Sequence, residues 1–114
     1  MPKHHVEIEW TENAKKSLRE IGSRTIQQKI ALKITDLAES GEPELLGKPL
    51  VDQLHGLYRI SFGRYRIIYR VIRDQRNSHL LRIIVRVLLT GIRKQGDKID
   101  IYEIAQRLQR QGKL

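Results

Sequence analysis

The sequence predicts a small α+β domain in which a helical hairpin packs on one face of an antiparallel sheet. Two observations lead to this prediction. Apolar residues recur with helical spacing in the first part of the chain, and from Leu57 onward the period changes to two, which is typical of strands. The 114 residues suffice for one hydrophobic core and are too few for two, so residues 1–114 are expected to form a single domain. The expected element order is β-α-α-β-β-β-α.

The first strand and the two helices after it are predicted from pattern and caps. Residues 6–10 (Val-Glu-Ile-Glu-Trp) alternate apolar and acidic side chains, as a half-buried strand does. Thr11 then caps a helix, and Ser23 caps a second helix whose apolar stripe runs to about Ser40. Because only one or two residues separate the helices, they are expected to form an antiparallel hairpin. Gly and Pro residues between 41 and 49 mark a loop.

Three strands rich in β-branched and aromatic residues are predicted next, over 57–62, 65–73 and 80–90. A two-residue turn at 63–64 fixes the register of the first two strands, with Ser61 opposite Arg66. Because side chains alternate, one hairpin face is apolar and is expected to form the core: Tyr58, Ile60, Phe62, Tyr65, Ile67, Tyr69 and Val71.

The other hairpin face is expected to carry Arg59, Ser61, Arg66, Ile68 and Arg70. The third strand repeats the pattern, with Arg82 and Arg86 outward and with Ile83, Val85, Val87 and Leu89 in the core. The guanidinium groups are therefore expected to gather on one side of the sheet. After a basic turn at 93–96, apolar residues with helical spacing predict a last helix that Asp100 can cap.

Charge is distributed unevenly along the chain, which has a net charge of +9. Residues 1–54 hold 8 basic and 9 acidic side chains, whereas residues 55–114 hold 14 basic and 4 acidic ones, and 11 of those 14 are Arg. This imbalance indicates a surface that binds a polyanion. Nucleic acid is the favoured polyanion, because a guanidinium binds a phosphate group through two hydrogen bonds. An acidic partner protein is the alternative reading of the same charge.

Several kinds of site are excluded or not indicated. The chain has no Cys, so it has neither a disulfide nor a thiolate-held zinc or iron–sulfur site. The four His residues show no metal-site spacing, and no cofactor-binding motif is present, so neither a metal nor a cofactor is expected. No apolar run approaches the roughly 20 residues needed to cross a bilayer, and the polar N-terminus lacks the apolar core of a signal peptide. A cytoplasmic location without membrane contact is therefore predicted.

The outward arginines suit the chemistry of RNA cleavage. An arginine stays charged and cannot readily accept a proton, but it holds phosphate and stabilises the charge that builds on phosphorus. RNA supplies its own nucleophile, the 2′-hydroxyl, so the protein has mainly to align that group and neutralise charge. Tyr102 is a candidate to hydrogen-bond, to stack on a base or to transfer a proton. A solvated sheet face is the alternative for any single arginine, whereas five on one side favour a site.

Two segments resemble the central hairpin of the RelE/ParE toxin superfamily: residues 54–60 (LHGLYRI) and 63–71 (GRYRIIYRV). The sequence Gly-Ile-Arg at 91–93, followed by Tyr102, is similar to the closing element of that family. The resemblance implies the RelE-like fold and a toxin that is paired with a small acidic antitoxin in a type II toxin–antitoxin system. For RelE-like members it also implies cleavage of mRNA in the ribosomal A site, with 2′,3′-cyclic phosphate and 5′-hydroxyl products.

The resemblance also implies roles for single residues. Arg66 and Arg93 would stabilise the transition state, Arg59 would contact phosphate, and Tyr102 would orient the substrate or stack on it. Further RNA contacts are expected from the polar side chains around them: Arg64, Arg70, Arg82, Arg86, Lys94 and Ser61. The expected partners are the antitoxin, the ribosome with its mRNA and, through the antitoxin, operator DNA.

Two other functions stay open at this point. Ser61 stands where RelE-like enzymes often have a second Lys, and Ile92 replaces a common His. Because of these differences, a ParE-like member that inhibits DNA gyrase without cutting RNA stays open as the alternative to the preferred RelE-like nuclease. A non-catalytic RNA-binding module is the third reading, and it would bind RNA with a steep salt dependence but cause neither cleavage nor growth arrest.

Overall fold

The computed structural model describes residues 3–77 and 80–114, which form a five-stranded sheet with helices on both faces. The elements in chain order are β1 (Lys3–Trp10), α1 (Glu12–Arg19), α2 (Arg24–Glu39), α3 (Pro43–Leu46), β2 (Lys48–Pro49), a 3₁₀ turn (Asp52–Leu54), β3 (Tyr58–Phe62), β4 (Tyr65–Asn77), β5 (Leu80–Ile92) and α4 (Ile101–Arg110). The predicted α+β class is confirmed, and the expected loop at 41–49 also contains α3 and β2. None of the helices in the described ranges is long and apolar enough to span a membrane.

The strands lie in the order β1-β5-β4-β3-β2. Strands β2 to β5 are antiparallel neighbours, and Ser61 faces Arg66 across the β3–β4 turn, as predicted. Strand β1 differs from the expectation, because it lies at the sheet edge parallel to β5, with Val6 beside Ile83. Its alternating residues identify a strand, but periodicity specifies neither the neighbour nor the direction of that strand.

The caps of the first two helices agree with the prediction. The Thr11 hydroxyl accepts a hydrogen bond from the backbone N–H of Ala14 at 3.2 Å, and the Ser23 hydroxyl accepts one from that of Ile26 at 3.3 Å. Each bond satisfies a donor that the first helical turn leaves without a partner. The connection between the helices is longer than expected, because α1 ends at Arg19 and residues 20–23 link it to α2.

One face of the sheet packs against α1 and α2 to form the first core. Ile67, Tyr69, Val85 and Val87 are fully buried in it. The remaining apolar residues predicted for this face of β3 and β4 pack around the same cluster: Tyr58, Ile60, Phe62, Tyr65 and Val71. The alternation of side chains therefore identifies the main core correctly.

The opposite face of the sheet, which carries Arg59, Arg66 and Ile68, is partly covered. The helix α4 and the 3₁₀ turn pack on the half nearest the β3–β4 turn, and Ile68 is fully buried there. This second core contains Leu54, Leu57, Ile68, Leu88, Leu89, Ile101 and Ala105. Ile68 lies on the predicted face, but α4 and the 3₁₀ turn cover it, which the apolar stripe of α4 alone does not specify.

A β-bulge at Leu88 assigns Leu89 to the second core. Tyr69 pairs with Val87 whereas the preceding Ile68 pairs with Leu89, so Leu88 is an extra residue in β5. One extra residue inverts the alternation of side chains beyond it. The prediction that Leu89 shares the first core with Val87 is therefore wrong.

Gly47 makes a close contact that yields a test of the fold. A Cβ atom there would overlap the Tyr69 hydroxyl and would come within 3.0 Å of the Arg59 carbonyl oxygen. Tyr69 cannot move aside easily, because it is fully buried and its hydroxyl donates a hydrogen bond to the Pro43 carbonyl oxygen at 2.6 Å. We expect Gly47→Ala to lower the free energy of unfolding by about 1–3 kcal/mol, as overpacking does. Urea denaturation followed by circular dichroism measures this change.

Gly22→Ala is the matched control for Gly47→Ala. A Cβ atom at Gly22 would meet no atom within 4 Å, and the φ angle of Gly22 is not positive. Its free energy of unfolding should change by less than about 0.5 kcal/mol. Equal stability of the two variants would contradict the packing of Tyr69 against Gly47.

Candidate functional site

A cavity of about 530 Å³ opens on the second sheet face, at the end that carries the β3–β4 turn. All four residues predicted as catalytic line it: Arg59, Arg66, Arg93 and Tyr102. Arg66 pairs with Gly91 across the β4–β5 ladder. Arg93 follows two residues later, and its N–H donates to the Arg64 carbonyl oxygen at 2.7 Å. Strand pairing thus joins arginines that are up to 34 residues apart in the chain, and α4 adds Tyr102.

Arg59 and Arg66 keep their charge uncompensated in this cavity. The Nη1 atom of Arg59 donates to the Ser61 hydroxyl at 2.8 Å. The Nη1 atom of Arg66 donates to the carbonyl oxygens of Gly63 and Tyr65 at 2.8 and 2.9 Å. Within the described residues neither forms an ion pair. Because their acceptors are neutral, both guanidinium groups retain donors for an anion such as phosphate.

Arg93 is held between a ring and a carboxylate. Its guanidinium carbon lies 4.8 Å from the centre of the Tyr102 ring, a cation–π distance. Its Nη1 atom donates to Asp100 Oδ2 at 2.6 Å. Arg93 and Tyr102 are nine residues apart in the sequence. The loop between them folds back, so that the Arg93 guanidinium stacks on the Tyr102 ring. The structure therefore places the two closing residues of the predicted site in direct contact.

Asp100 does not cap α4 with its side chain, contrary to the prediction. The helix begins at Ile101, directly after it, but the Asp100 carboxylate makes no capping hydrogen bond. Its two oxygens accept instead from the Arg93 guanidinium and from the backbone N–H of Lys94, each at 2.6 Å. The Asp100 residue is only 2% exposed. The carboxylate binds the Arg93 guanidinium in preference to the N–H groups of the helix, because a hydrogen bond between two charged groups is stronger than one to a neutral N–H.

Four of the residues predicted to contact RNA lie near the cavity without lining it. Ser61 accepts the hydrogen bond of Arg59, and Arg64 is exposed in the β3–β4 turn. Lys94 Nζ lies 3.4 Å from Asp97 Oδ2, in an exposed pair worth little energy. Arg70 is on the same sheet face and half-buried, and no partner of its side chain occurs among residues 3–77 and 80–114.

Arg82 and Arg86 are paired with carboxylates of β1, so the expected uniform cationic face is wrong. Arg82 makes two bonds to Glu7, at 2.8 and 3.1 Å, and Arg86 makes two to Glu9, at 2.9 and 3.4 Å. The hydrogen bonds from Arg82 hold the pKa of the Glu7 carboxyl below its usual value. The cause is the parallel pairing of β1 with β5, which places the acidic residues of β1 on the arginine side of the sheet. Among the described residues of β3, β4 and β5, the arginines of this face without an ion pair are Arg59, Arg66 and Arg70.

The cavity also contains residues that the sequence did not single out. Asp52, Gln95, Glu103 and Gln106 line it, together with Asp100. Asp52 and Glu103 lie in the 3₁₀ turn and in α4, and neither position has a local signal that separates it from an ordinary exposed acid. In the part of the chain that the structure describes, no three His, Asp or Glu side chains converge as metal ligands would.

Comparisons with known proteins agree with this fold. A family described as the ParE toxin of the type II toxin–antitoxin system parDE matches residues 8–91, a range that contains Arg59 and Arg66 and ends before Arg93. In the RelBE2 toxin–antitoxin complex from Mycobacterium tuberculosis, one chain is similar at a TM-score of 0.58 and 26% identity, over 75% of this chain and 95% of that chain. No curated protein matches significantly in sequence. Because the family match spans well over half of the chain, this protein belongs to the ParE toxin family of type II toxin–antitoxin systems, within the RelE/ParE superfamily.

Proposed function

We propose that this toxin is a ribosome-dependent endoribonuclease that cleaves mRNA through attack by the RNA's own 2′-hydroxyl. The observation that carries the proposal is the cavity in which Arg59, Arg66 and Arg93 converge with Tyr102. Three guanidinium groups around one cavity offer hydrogen-bond donors to a phosphodiester and to the dianionic phosphorane that forms during cleavage, and the charges of Arg59 and Arg66 are not compensated by an ion pair within the described residues. Inhibition of translation follows from the loss of intact messages.

In the proposed reaction, the 2′-oxygen attacks the adjacent phosphorus and the bond to the 5′-oxygen breaks. The products are a 2′,3′-cyclic phosphate and a 5′-hydroxyl, whose oxygen takes up a proton from solvent in exchange for the one that the 2′-hydroxyl gives up, so no water is consumed. Arg66 and Arg93 stabilise the negative charge that grows on the non-bridging oxygens. Arg59 holds a neighbouring phosphate and so fixes the register of the message.

The 2′-hydroxyl proton needs an acceptor that the arginines cannot supply, since they stay charged at physiological pH. The carboxylates of Asp52 and Glu103 line the cavity and are the lining groups free to take this proton, because Asp100 is engaged with Arg93. The Tyr102 ring packs on Arg93 and offers a surface on which a base stacks. The ribosome contributes the message in an extended conformation in its A site.

The proposed inhibitor of this activity is a small acidic antitoxin. The toxin has a net charge of +9, and the structurally similar chain from Mycobacterium tuberculosis comes from a toxin–antitoxin complex. An acidic segment that covers the cavity would neutralise Arg59 and Arg66 and exclude the message. The location that follows from these partners is cytoplasmic, and operator DNA would be reached through the antitoxin.

Cleavage in a reconstituted translation system tests the proposal. We expect primer extension on a translated message to show new 5′ ends within the coding sequence. The same RNA without ribosomes should stay intact. A message that remains uncut at toxin concentrations that stop protein synthesis would contradict the proposal.

Inhibition of DNA gyrase is the second candidate function, and the match of residues 8–91 to the ParE family favours it. In that case the arginine cavity would bind the enzyme or its DNA without chemistry. Purified gyrase would then lose supercoiling activity in the presence of the toxin while messages remain intact. The two assays, run on one preparation, separate the two functions.

A further inference from the structure

The Asp100 carboxylate is buried where it lines the cavity, and each of its two oxygens accepts one hydrogen bond. It accepts from Arg93 Nη1 and from the Lys94 N–H, both at 2.6 Å, and the residue is 2% exposed. The Arg93 side chain is more open, at 31% exposure. The buried Asp100 carboxylate thus holds the Nη1 end of the Arg93 guanidinium, and both residues line the cavity.

The two contacts of Arg93 fix its orientation as well as its position. Asp100 holds the Nη1 end, and the Tyr102 ring lies 4.8 Å from the guanidinium carbon. A planar group that is held at one edge and stacked on one face has little rotational freedom left. Only one of its five N–H donors is used by Asp100, so the others keep a fixed direction toward an incoming phosphate.

Within the described residues, Arg93 is the charged group with which the Asp100 carboxylate forms an ion pair. The Asp100 side chain makes no cap for α4, which a neutral Ser or Asn could also provide. Burying a carboxylate is costly unless its charge is compensated, and Arg93 is the charged group that compensates it. We propose that Asp100 is a positioning residue for Arg93, and that it acts on cleavage only through the orientation of that guanidinium. This inference rests on the proposed nuclease function.

Asp100→Asn tests the inference, because the amide oxygen still accepts from the Lys94 N–H while the charge that holds Arg93 is lost. We expect the rate of cleavage at saturating ribosome concentration to fall about 10- to 100-fold, the scale expected when a reacting group is misplaced by up to an ångström. The ribosome concentration that gives half the maximal rate should stay unchanged, since Arg59 and Arg66 still bind the message.

A double-mutant cycle separates positioning from a general structural role. In an Arg93→Ala background the substitution Asp100→Asn should leave the residual rate unchanged, because no guanidinium remains to be positioned. An equal fold-loss in both backgrounds would show that Asp100 acts on the fold instead, and would overturn the inference. Wild-type rates for Asp100→Asn would overturn it as well.

A measurement on the wild-type protein keeps the inference testable if Asp100→Asn does not fold. The Arg93 Nη groups should give resolved ¹⁵N NMR signals, assigned by comparison with Arg93→Ala, because the ion pair hinders rotation about the Cζ–Nη bond. Signals averaged by free rotation would contradict the held guanidinium. If the wild-type protein leaves translated messages intact, the proposed function and this role fail together. If it cleaves them and Asp100→Asn cleaves equally well, only the role of Asp100 fails.

Discussion

Replacing Arg66 by alanine is expected to slow cleavage of a translated message by about 100- to 1000-fold while the protein stays folded, since a preorganised donor to developing charge contributes on that scale. Its guanidinium contacts only the carbonyl oxygens of Gly63 and Tyr65, at the exposed β3–β4 turn. Water can take over both acceptors, so the fold should lose little stability. Single-turnover cleavage at saturating ribosome concentration measures the rate, and thermal unfolding confirms the fold.

Arg24→Ala is the matched control for Arg66→Ala. Arg24 is the first residue of α2, is exposed and does not line the cavity. Its removal lowers the net charge by the same amount, so a loss of activity due only to weaker attraction to RNA would appear in both variants. Arg66→Lys should recover only part of the rate, because an ammonium lacks the planar fork of donors. A wild-type rate for Arg66→Ala would remove Arg66 from the proposed mechanism.

Replacing Arg93 by alanine is expected to cost a similar factor in rate, about 100- to 1000-fold, and in addition to destabilise the protein. The buried Asp100 carboxylate would lose its charged partner and keep only the Lys94 N–H. An unsatisfied buried group of this kind lowers the free energy of unfolding on the order of 1–3 kcal/mol. Arg93→Ala therefore mixes a catalytic effect with an effect on stability.

The variant Arg93→Ala/Asp100→Asn separates these two effects. It removes both charges of the pair, so most of the stability should return while the rate stays low. Urea denaturation and single-turnover cleavage on the same samples give the two quantities. Should the double variant regain activity together with stability, Arg93 would be a structural residue and not a catalytic one.

Much of the fold can be predicted from side-chain periodicity, and the errors of that prediction have a common cause. The alternation in β3 and β4 predicts the register and the first core, because a two-residue turn leaves no freedom in the pairing. The bulge at Leu88 is invisible to a period-two pattern, since Val87, Leu88 and Leu89 are all apolar and suit either face. The position of β1 and the face covered by α4 depend on contacts between distant segments, which the local sequence does not encode.

The candidate site was predictable to the extent that it lies on regular strands. Arg59 and Arg66 lie on the same hairpin face on either side of a tight turn, so the sequence places them together, and the structure agrees. Arg82 and Arg86 lie on that face too, but Glu7 and Glu9 neutralise them from β1, a strand whose neighbour the sequence does not specify. The sequence predicts a helix cap at Asp100 because this residue directly precedes α4. That prediction is wrong, because the partner of the Asp100 carboxylate is Arg93, which lies across a loop.

The parallel placement of β1 has a consequence for the order of assembly. Residues 3–10 pair with residues 80–87, so β1 has no backbone partner until residue 80 has been made. Contacts of such long range form late and slow the approach to the native state. The arginine-lined cavity is completed later still, because it needs Arg93 and Tyr102. For the proposed ribosome-dependent nuclease, the nascent chain therefore lacks a complete site until residue 102 has been made.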